Sequence, residues 1–537
     1  MAGTTLPADL GEDGFVLKTN GQHIIIAGKS DRGTLYGVYA FLERLGCRWF
    51  APNFNFYGSA KGEFVPHRSS IAVDTLNIIE RPAFQWRKLY IEEGQSHTAE
   101  NLLKLVDWMA KARMNVLDCP NNYQGAGRTK WDNWRDTLIP ELRKRGLLIE
   151  VGGHGYQNYL PQEQYFSQHP EWFGLRNGVR SNATQDVFAT SNPDAVRTFI
   201  ANIASYLHAH PEIDIFDLWP PDGAQWSEAK DDVALGTPTE RQMLLLSHVA
   251  AELQHDFPHV RLQFIAYQNY IAPPSEHKPD KSILMEFCPI DRSFESALYE
   301  GASSQNEEYF HDLQGWSENV MAPASITVYS YITKYAWRSL PITIPHLIVD
   351  ELRRFHEMGI GGLATYSEPG SWATFELEHY ITAHALWNPY LDVTQGLSDY
   401  IDHRYGAAAL YVAKYLRLVE EVVPHAVNIP GTTIDPIKQQ AMLDRFQPAE
   451  QLIKKAHEAA ENDASTSTLI DKLDHQYRYV SNEMKIQYAL SNAQNKRPTK
   501  QYSSLTDLLQ ERDNIYKQDL EDGVILHDLR SSATSHK

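Results

Sequence analysis

Cysteine is nearly missing from this chain, with 3 in 537 residues: Cys47, Cys119 and Cys288. They lie far apart and without metal-ligand spacing. Neither a disulfide framework nor a thiolate zinc site can be built from them, and the redox compartment stays open. Also missing is any apolar run of the ~20 residues that a membrane-spanning helix needs. Positive charge is in deficit, with 49 Lys and Arg against 68 Asp and Glu, a formal charge of −19. An acidic surface repels polyanions, and no Lys/Arg run is long enough to escape that average. Nucleic acid and anionic membrane are therefore poor main partners. The opening residues, MAGTTLPADLGEDGFVLKTN, lack a basic segment followed by an apolar one and do not read as a signal peptide. They look like a chain cut close to the start of a domain. The expectation is an exported protein, periplasmic or secreted, with its signal absent from this chain.

What is present is a long globular chain, ample for a large core and more than one domain. Its aromatics lean toward those with a polar edge, 12 Trp and 28 Tyr against 20 Phe. A flat apolar face with a hydrogen-bonding edge suits sugar rings, though a large core with ordinary surface aromatics accounts for the numbers as well.

Residues 14–27, GFVLKTNGQHIIIA, predict two short strands joined by an Asn20-Gly21 turn. A helix follows, with Ser30 and Asp31 as possible caps and Leu35, Val38, Tyr39 and Leu42 at helical spacing. Residues 1–78 thus read as a small α+β domain, and PHRSSIAVDTLNIIERPAF (66–84) links it onward. From residue 84 short apolar runs alternate with helical stretches. They are FQWRKLYI (84–91), NVLDCP (115–120), LLIEVGGHGY (147–156), IDIFDLWPPDG (213–223), VRLQFIAYQNY (260–270), SILMEFCPI (282–290), SITVYSYIT (325–333) and GLATYSEPGSW (362–372). Eight such units are the count of a (β/α)8 TIM barrel, placed here at 79–384. A doubly wound open sheet is the alternative, though it rarely needs eight strands. After 385 the strands stop and the pattern is helical to 537.

In such a barrel, chemistry sits at the C-terminal ends of the strands. The residues there are Glu92 and Glu93, then Asn121, Asn122 and Tyr123, then Gly153, His154 and Tyr156, then Trp219, Asp222 and Trp226. Next come Tyr267, Gln268 and Asn269, then Glu286 and Arg292, then Tyr329, Tyr331 and Lys334, and finally Tyr366, Glu368 and Trp372. The set holds carboxylates, aromatics, amides and one histidine, with no metal cluster and no phosphate-cradling glycine loop. Two carboxyl groups around an aromatic-lined pocket are what glycosidic-bond cleavage requires. Each member also has a plain reading. Asp222 in PPDG is a strong turn former, and Glu368 could be a loop acid beside Trp372. His154 between glycines could be a structural hydrogen bonder. Glu286 differs, because a carboxylate inside SILMEFCP is costly to bury unless it is paired or functional. Asp217 reads as an inner-strand polar group and Glu228 as a surface acid.

The stretch DRGTLYGVYAFLERLGCRWFAP (31–52) resembles the end of the small domain that precedes the barrels of family 20 β-hexosaminidases and family 67 α-glucuronidases. HPEWFGLRNGVR (169–180), TSNPDAVRTF (190–199), WPPDG (219–223) and ALWNPYLDV…YIDHRYGAAA (385–409) resemble the domain-of-unknown-function 4838 proteins. Part of that group is glycoside hydrolase family 163, endo-β-N-acetylglucosaminidases acting on N-glycans. The resemblance implies retaining hydrolysis in which the substrate's own acetamido oxygen attacks the anomeric carbon, with no cofactor. Family 20 ends its fourth strand in Gly-Gly-Asp-Glu, with Asp orienting the acetamido group and Glu as the acid. Here the tip is Pro-Pro-Asp-Gly, so Asp222 matches and the Glu is absent. The acid then falls to Glu286, read as ending the sixth strand, with Glu368 of TYSE second. Tyr267 or Tyr331 would donate to the acetamido oxygen. Trp219, Trp226 and Trp372 would stack on sugar rings, and His154, Asn269 and Tyr366 would line the site. Many relatives carry a cysteine-rich stretch after the fourth-strand Asp; AQWSEAK stands there instead, without a thiol. Two other readings remain: an exo-glycosidase on a uronic acid, for which Arg292 and Lys334 are possible carboxylate clamps, and a non-catalytic glycan binder.

Overall fold

The computed structural model describes residues 6–91, 98–121, 131–333, 339–426, 436–495, 504–518 and 522–526. At its start, β1 (Phe15–Asn20) and β2 (His23–Gly28) form an antiparallel hairpin. Asn20 pairs with His23, so the two loop residues are Gly21 and Gln22, one position beyond the expected turn. The glycine carries the positive φ, 60°, that the reversal requires. The Asp31–Arg44 helix is capped by Ser30, whose Oγ accepts the Gly33 N–H at 3.0 Å. A two-strand pair, β3 (Arg48–Trp49) with β4 (Glu63–Phe64), follows. The segment read as a linker contains β5 (Asn77–Glu80), which adds to β1 and completes a three-stranded sheet.

The barrel is closed and parallel. Its strands are β6 (Trp86–Ile91), β7 (Val116–Pro120), β8 (Leu148–Gly152), β11 (Ile215–Asp217), β12 (Arg261–Tyr267), β13 (Leu284–Cys288), β14 (Ile326–Tyr329) and β15 (Gly362–Ser367). A short hairpin, β9 (Leu175–Arg176) with β10 (Val179–Arg180), rises from the long loop after β8. Its Asn177-Gly178 turn has positive φ at both residues, as a tight two-residue reversal demands. Closure is made by β15 lying along β6 from Gly362↔Trp86 to Ser367↔Ile91. Alternation along each strand stacks the interior in layers. Trp86, Val116, Ile215 and Leu284 form an apolar base. Lys88, Asp118, Glu150, Asp217, Gln263 and Glu286 lie above it, and Tyr90, Trp219, Tyr329 and Tyr366 lie toward the strand ends.

Behind the barrel, six α-helices among the described residues, from Val393 to Lys517, form the C-terminal region. Glu376, on the last barrel helix (Trp372–Trp387), ties the parts together. It accepts from Arg404 Nε at 2.7 Å, from Tyr400 at 2.9 Å and from Tyr57 of the N-terminal region. Trp387, at the end of the same helix, stacks on Phe15 of β1 at 5.7 Å. Among the described residues no helix is long and apolar enough to cross a membrane.

Candidate functional site

β11 is cut short by the prolines beyond it. Leu218 still donates to Gln263 O at 2.9 Å, and Trp219 forms one parallel bridge with His154. Pro220 and Pro221 have no N–H to extend the ladder, and Gly223, at φ 67°, turns the chain back. Asp222 is thus carried past the strand on a rigid turn, half-buried. Tyr267, the last residue of β12, donates its phenol to Asp222 Oδ1 at 3.2 Å. His154 Nδ1 lies 2.6 Å from Pro220 O. A carbonyl only accepts, so Nδ1 carries the proton. Burial lowers the His154 pKa, against the pull of Asp222 and the Pro220 carbonyl, and keeps the ring neutral at neutral pH.

Around this pair the rings are continuous. Tyr267 lies 5.7 Å from His154, His154 lies 5.3 Å from Trp219, and Trp219 lies 6.1 Å from Tyr90. Tyr90 meets Tyr329 at 5.4 Å and Tyr366 at 6.5 Å, and Tyr329 meets Tyr331 at 4.5 Å. These rings come from or just beyond β12, β8, β11, β6, β14 and β15, so they floor the whole mouth. Gln268 and Tyr331 are non-glycine residues at φ 45° and 50°, both just past strand ends at this mouth. Such backbone strain collects at functional sites. Glu368 follows β15, two residues beyond Tyr366 and so on the same inward side, 2% exposed.

Other expected site residues lie elsewhere. Glu286 does not end its strand: it is the middle residue of β13, fully buried, 3.2 Å from Thr327 Oγ1 and 3.9 Å from Lys88 Nζ. Lys88 sits two residues below Tyr90 on β6, so Glu286 belongs to the layer under the aromatic floor. Burial raises its pKa to about 7, with Lys88 opposing and Glu150 adding to the rise. Arg292, expected as a clamp for a substrate carboxylate, is buried and spends its guanidinium on both oxygens of Glu351 while lying 4.2 Å over Phe294. Trp372, expected to stack on a sugar, is fully buried, sealed between Phe54, Trp108 and His379 where the barrel meets the N-terminal region. Trp226 packs edge-on to Tyr270 at 6.0 Å, and Tyr270 in turn backs Tyr267 at 6.2 Å, so Trp226 supports the floor from behind. Asn269 donates its amide to Ala224 O at 3.1 Å, latching the turn that bears Asp222. Glu92, Glu93, Asn122, Tyr123 and Lys334 lie outside the described residues.

Tyr90 and most of the buried polar layer, Lys88, Asp118, Glu150 and Gln263, escaped the sequence reading, which singled out only Asp217 and Glu286 of that layer. The available signal was alternation inside the runs: Trp86, Lys88 and Tyr90 share a face, and Asp118 and Glu150 are lone acids in apolar strands.

The family model described as domain of unknown function DUF4838 matches residues 56–417. One described as glycosyl hydrolase family 67 N-terminus matches residues 1–41. No curated protein matches the chain. Among solved structures, a family 138 glycoside hydrolase described as targeting pectin rhamnogalacturonan II is similar at TM-score 0.56 and 12% identity, over 98% of this chain and 69% of that one. A β-N-acetylhexosaminidase from Bacteroides fragilis is similar at TM-score 0.46 and 13% identity, over 71% of this chain and 78% of that one. At 12% identity the likeness to the family 138 enzyme is one of fold.

Proposed function

The chain belongs to the family described as domain of unknown function DUF4838, a name that assigns no chemistry, and from the mouth of its barrel we propose that it is a glycoside hydrolase. The observation that carries this is the Asp222–Tyr267 hydrogen bond, held on a proline-stiffened turn beside a floor of aromatic rings. Aromatic faces take the apolar faces of sugars, and a fixed, half-buried carboxylate takes a polar substituent or a developing charge. The glycosyl hydrolase description of the model matching residues 1–41, and the shared fold with a family 138 enzyme, agree with this reading.

The substrate this reading favours is a β-linked N-acetylglucosaminide, cleaved with retention and, in the endo form, within an N-glycan. Asp222, steadied by Tyr267, accepts the acetamido N–H and directs the acetamido oxygen at the anomeric carbon. Tyr267 or Tyr331, both in the aromatic floor, donates to that oxygen. The acid is Glu368 rather than Glu286, which lies one layer too deep. Its proton goes to the departing glycosidic oxygen as the anomeric C–O bond breaks and the new one to the acetamido oxygen forms. The resulting carboxylate then takes a proton from the water that opens the cyclic intermediate. The uronic-acid alternative loses Arg292 to Glu351.

The test is hydrolysis of an aryl β-N-acetylglucosaminide, a complex N-glycoprotein and an aryl α-glucuronide by wild type, Asp222→Asn, Glu368→Gln and Glu286→Gln. The hexosaminide or the glycoprotein should be cleaved. Asp222→Asn and Glu368→Gln should each lower kcat by at least about 10²-fold. No cleavage by wild type, or full activity in both variants, would remove the proposal.

A further inference from the structure

Below the aromatic floor lies a second cluster that the hydrolytic reading does not use. Asp118 on β7, Glu150 on β8 and Asp217 on β11 come from three adjacent strands, and one carboxylate oxygen of each lies within 4.8 Å of the others. All three residues are sealed from solvent. Both Asp118 oxygens, Glu150 Oε2 and Asp217 Oδ2 accept no hydrogen bond. A separate observation comes from β13: Glu286 Oε2 is likewise buried and accepts none, while its Oε1 faces the same ammonium that Glu150 binds. That ammonium, Lys88 Nζ, is already given to Glu150 at 2.7 Å and to Gln263. The Gln263 amide goes to Glu150 and Asp217. Two of the three ammonium N–H bonds and both amide N–H bonds of Gln263 are thus used, and several carboxylate oxygens remain.

Carboxylates without donors in a sealed interior carry a large desolvation cost unless something positive joins them. We propose that the interior of the barrel holds one hard divalent cation, calcium, bound by the carboxylates of Asp118, Glu150 and Asp217. The donor set is oxygen alone, which suits calcium, magnesium or manganese and not zinc or copper. Magnesium dehydrates reluctantly and keeps several waters, whereas calcium takes carboxylates directly, so a sealed site of three carboxylates favours calcium. Glu286 Oε2 and water complete the shell. The ion clasps the second, third and fourth strands of the barrel under the floor. Since the floor closes the mouth side, the ion enters as the barrel folds and leaves slowly.

The proposal stands apart from the hydrolase reading, and its test does not use activity. The full chain is unfolded and refolded with excess chelator, with calcium or with magnesium, then desalted, and its metal content and melting temperature are measured. Calcium refolding should leave about one ion per chain after desalting and raise the melting temperature above that of the chelator sample, with magnesium giving less. Asp118→Asn should retain no calcium and show no calcium-dependent shift; Asp217→Asn serves if that variant fails to fold. Wild type that retains no ion and melts alike in calcium and chelator overturns the site, leaving carboxyls that hold protons. Equal retention by a folded Asp118→Asn or Asp217→Asn overturns it too, by placing the ion elsewhere.

Discussion

Two layers of one barrel, separated by two residues along each strand, solve opposite problems. At the mouth, Tyr90, Trp219, Tyr329 and Tyr366 make a close-packed apolar floor, and Asp222 stands beside it half-buried with a phenol donating to it. One step down, Lys88 faces Asp118, Glu150, Asp217 and Glu286 in a space sealed from solvent. The lower layer has the more perturbed groups. Burial, reinforced by neighbouring carboxylates, pushes Asp118 and Asp217 far above the usual carboxylate range. A search for catalytic acids by perturbed pKa would therefore choose Asp118, Asp217 and Glu286 first. On the proposed reading that choice misleads, because ion networks inside a fold perturb pKa as strongly as active sites do. On the proposed reading what separates the layers is reach: a substrate would touch the mouth, and the floor lies between the mouth and the interior.

The largest effect that would test this division is the loss of Lys88. Lys88→Met removes the ammonium between Glu150 and Gln263 and leaves buried charge unanswered. Breaking a buried pair from one side costs about 3–5 kcal/mol, so urea denaturation should show a loss of that order, or no folded protein. A loss below about 1 kcal/mol would mean the interior charges are already neutralised some other way. Next in size is Asp222→Asn, expected to lower kcat by at least about 10²-fold with the melting temperature nearly unchanged, since Asp222 is not enclosed. Glu286→Gln should do the reverse, keeping kcat within a few-fold. If instead it abolishes turnover in a folded protein, the substrate reaches deeper than the floor and the two layers are one site.

The architecture was legible because its signals are local. Eight apolar runs alternating with helical stretches announced the barrel, and Ser30 announced its helix. WPPDG announced a stiff acid-bearing turn, since two prolines and a glycine restrict the backbone whatever surrounds them. Illegible residues were those whose role depends on a partner distant in sequence. Arg292 reads as a free cation until Glu351 comes to meet it, and Trp372 reads as a sugar platform until Phe54 and Trp108 cover it. The polar layer has the same cause: Lys88, Glu150 and Glu286 meet only when the barrel closes.

Smaller effects test how the mouth is held. Glu240, early in the Pro238–Asp256 helix, accepts the backbone N–H groups of Ser275, Glu276 and His277 and the His277 ring, fixing the chain beyond β12. Burial alone would raise its pKa, but these donors outweigh burial and lower it to about 2. A depressed folded value means the stabilisation is full above the ordinary glutamate pKa of about 4.3 and is lost as pH falls from there toward about 2. Glu240→Gln should cost about 1.5–3 kcal/mol at pH 7, the range for hydrogen bonds to a charged group. It should also flatten the acid limb of the stability curve. An acid limb identical to wild type would mean the carboxylate is not charged in this role.

The smallest effect decides what Asn269 is for. As a substrate contact, its loss would weaken binding in ground and transition states alike and raise KM with kcat unchanged. As the latch on Ala224 O, it acts through Asp222 instead, by fixing the turn on which the carboxylate rides. Asn269→Ala then removes one neutral hydrogen bond, worth about 1 kcal/mol, which corresponds to roughly a five-fold fall in kcat. The fall should disappear in the Asp222→Asn background, because a latch has nothing to position once the carboxylate is gone. An independent contribution in that background, or a change confined to KM, would return Asn269 to the substrate and leave Asp222 positioned by its prolines and Tyr267 alone.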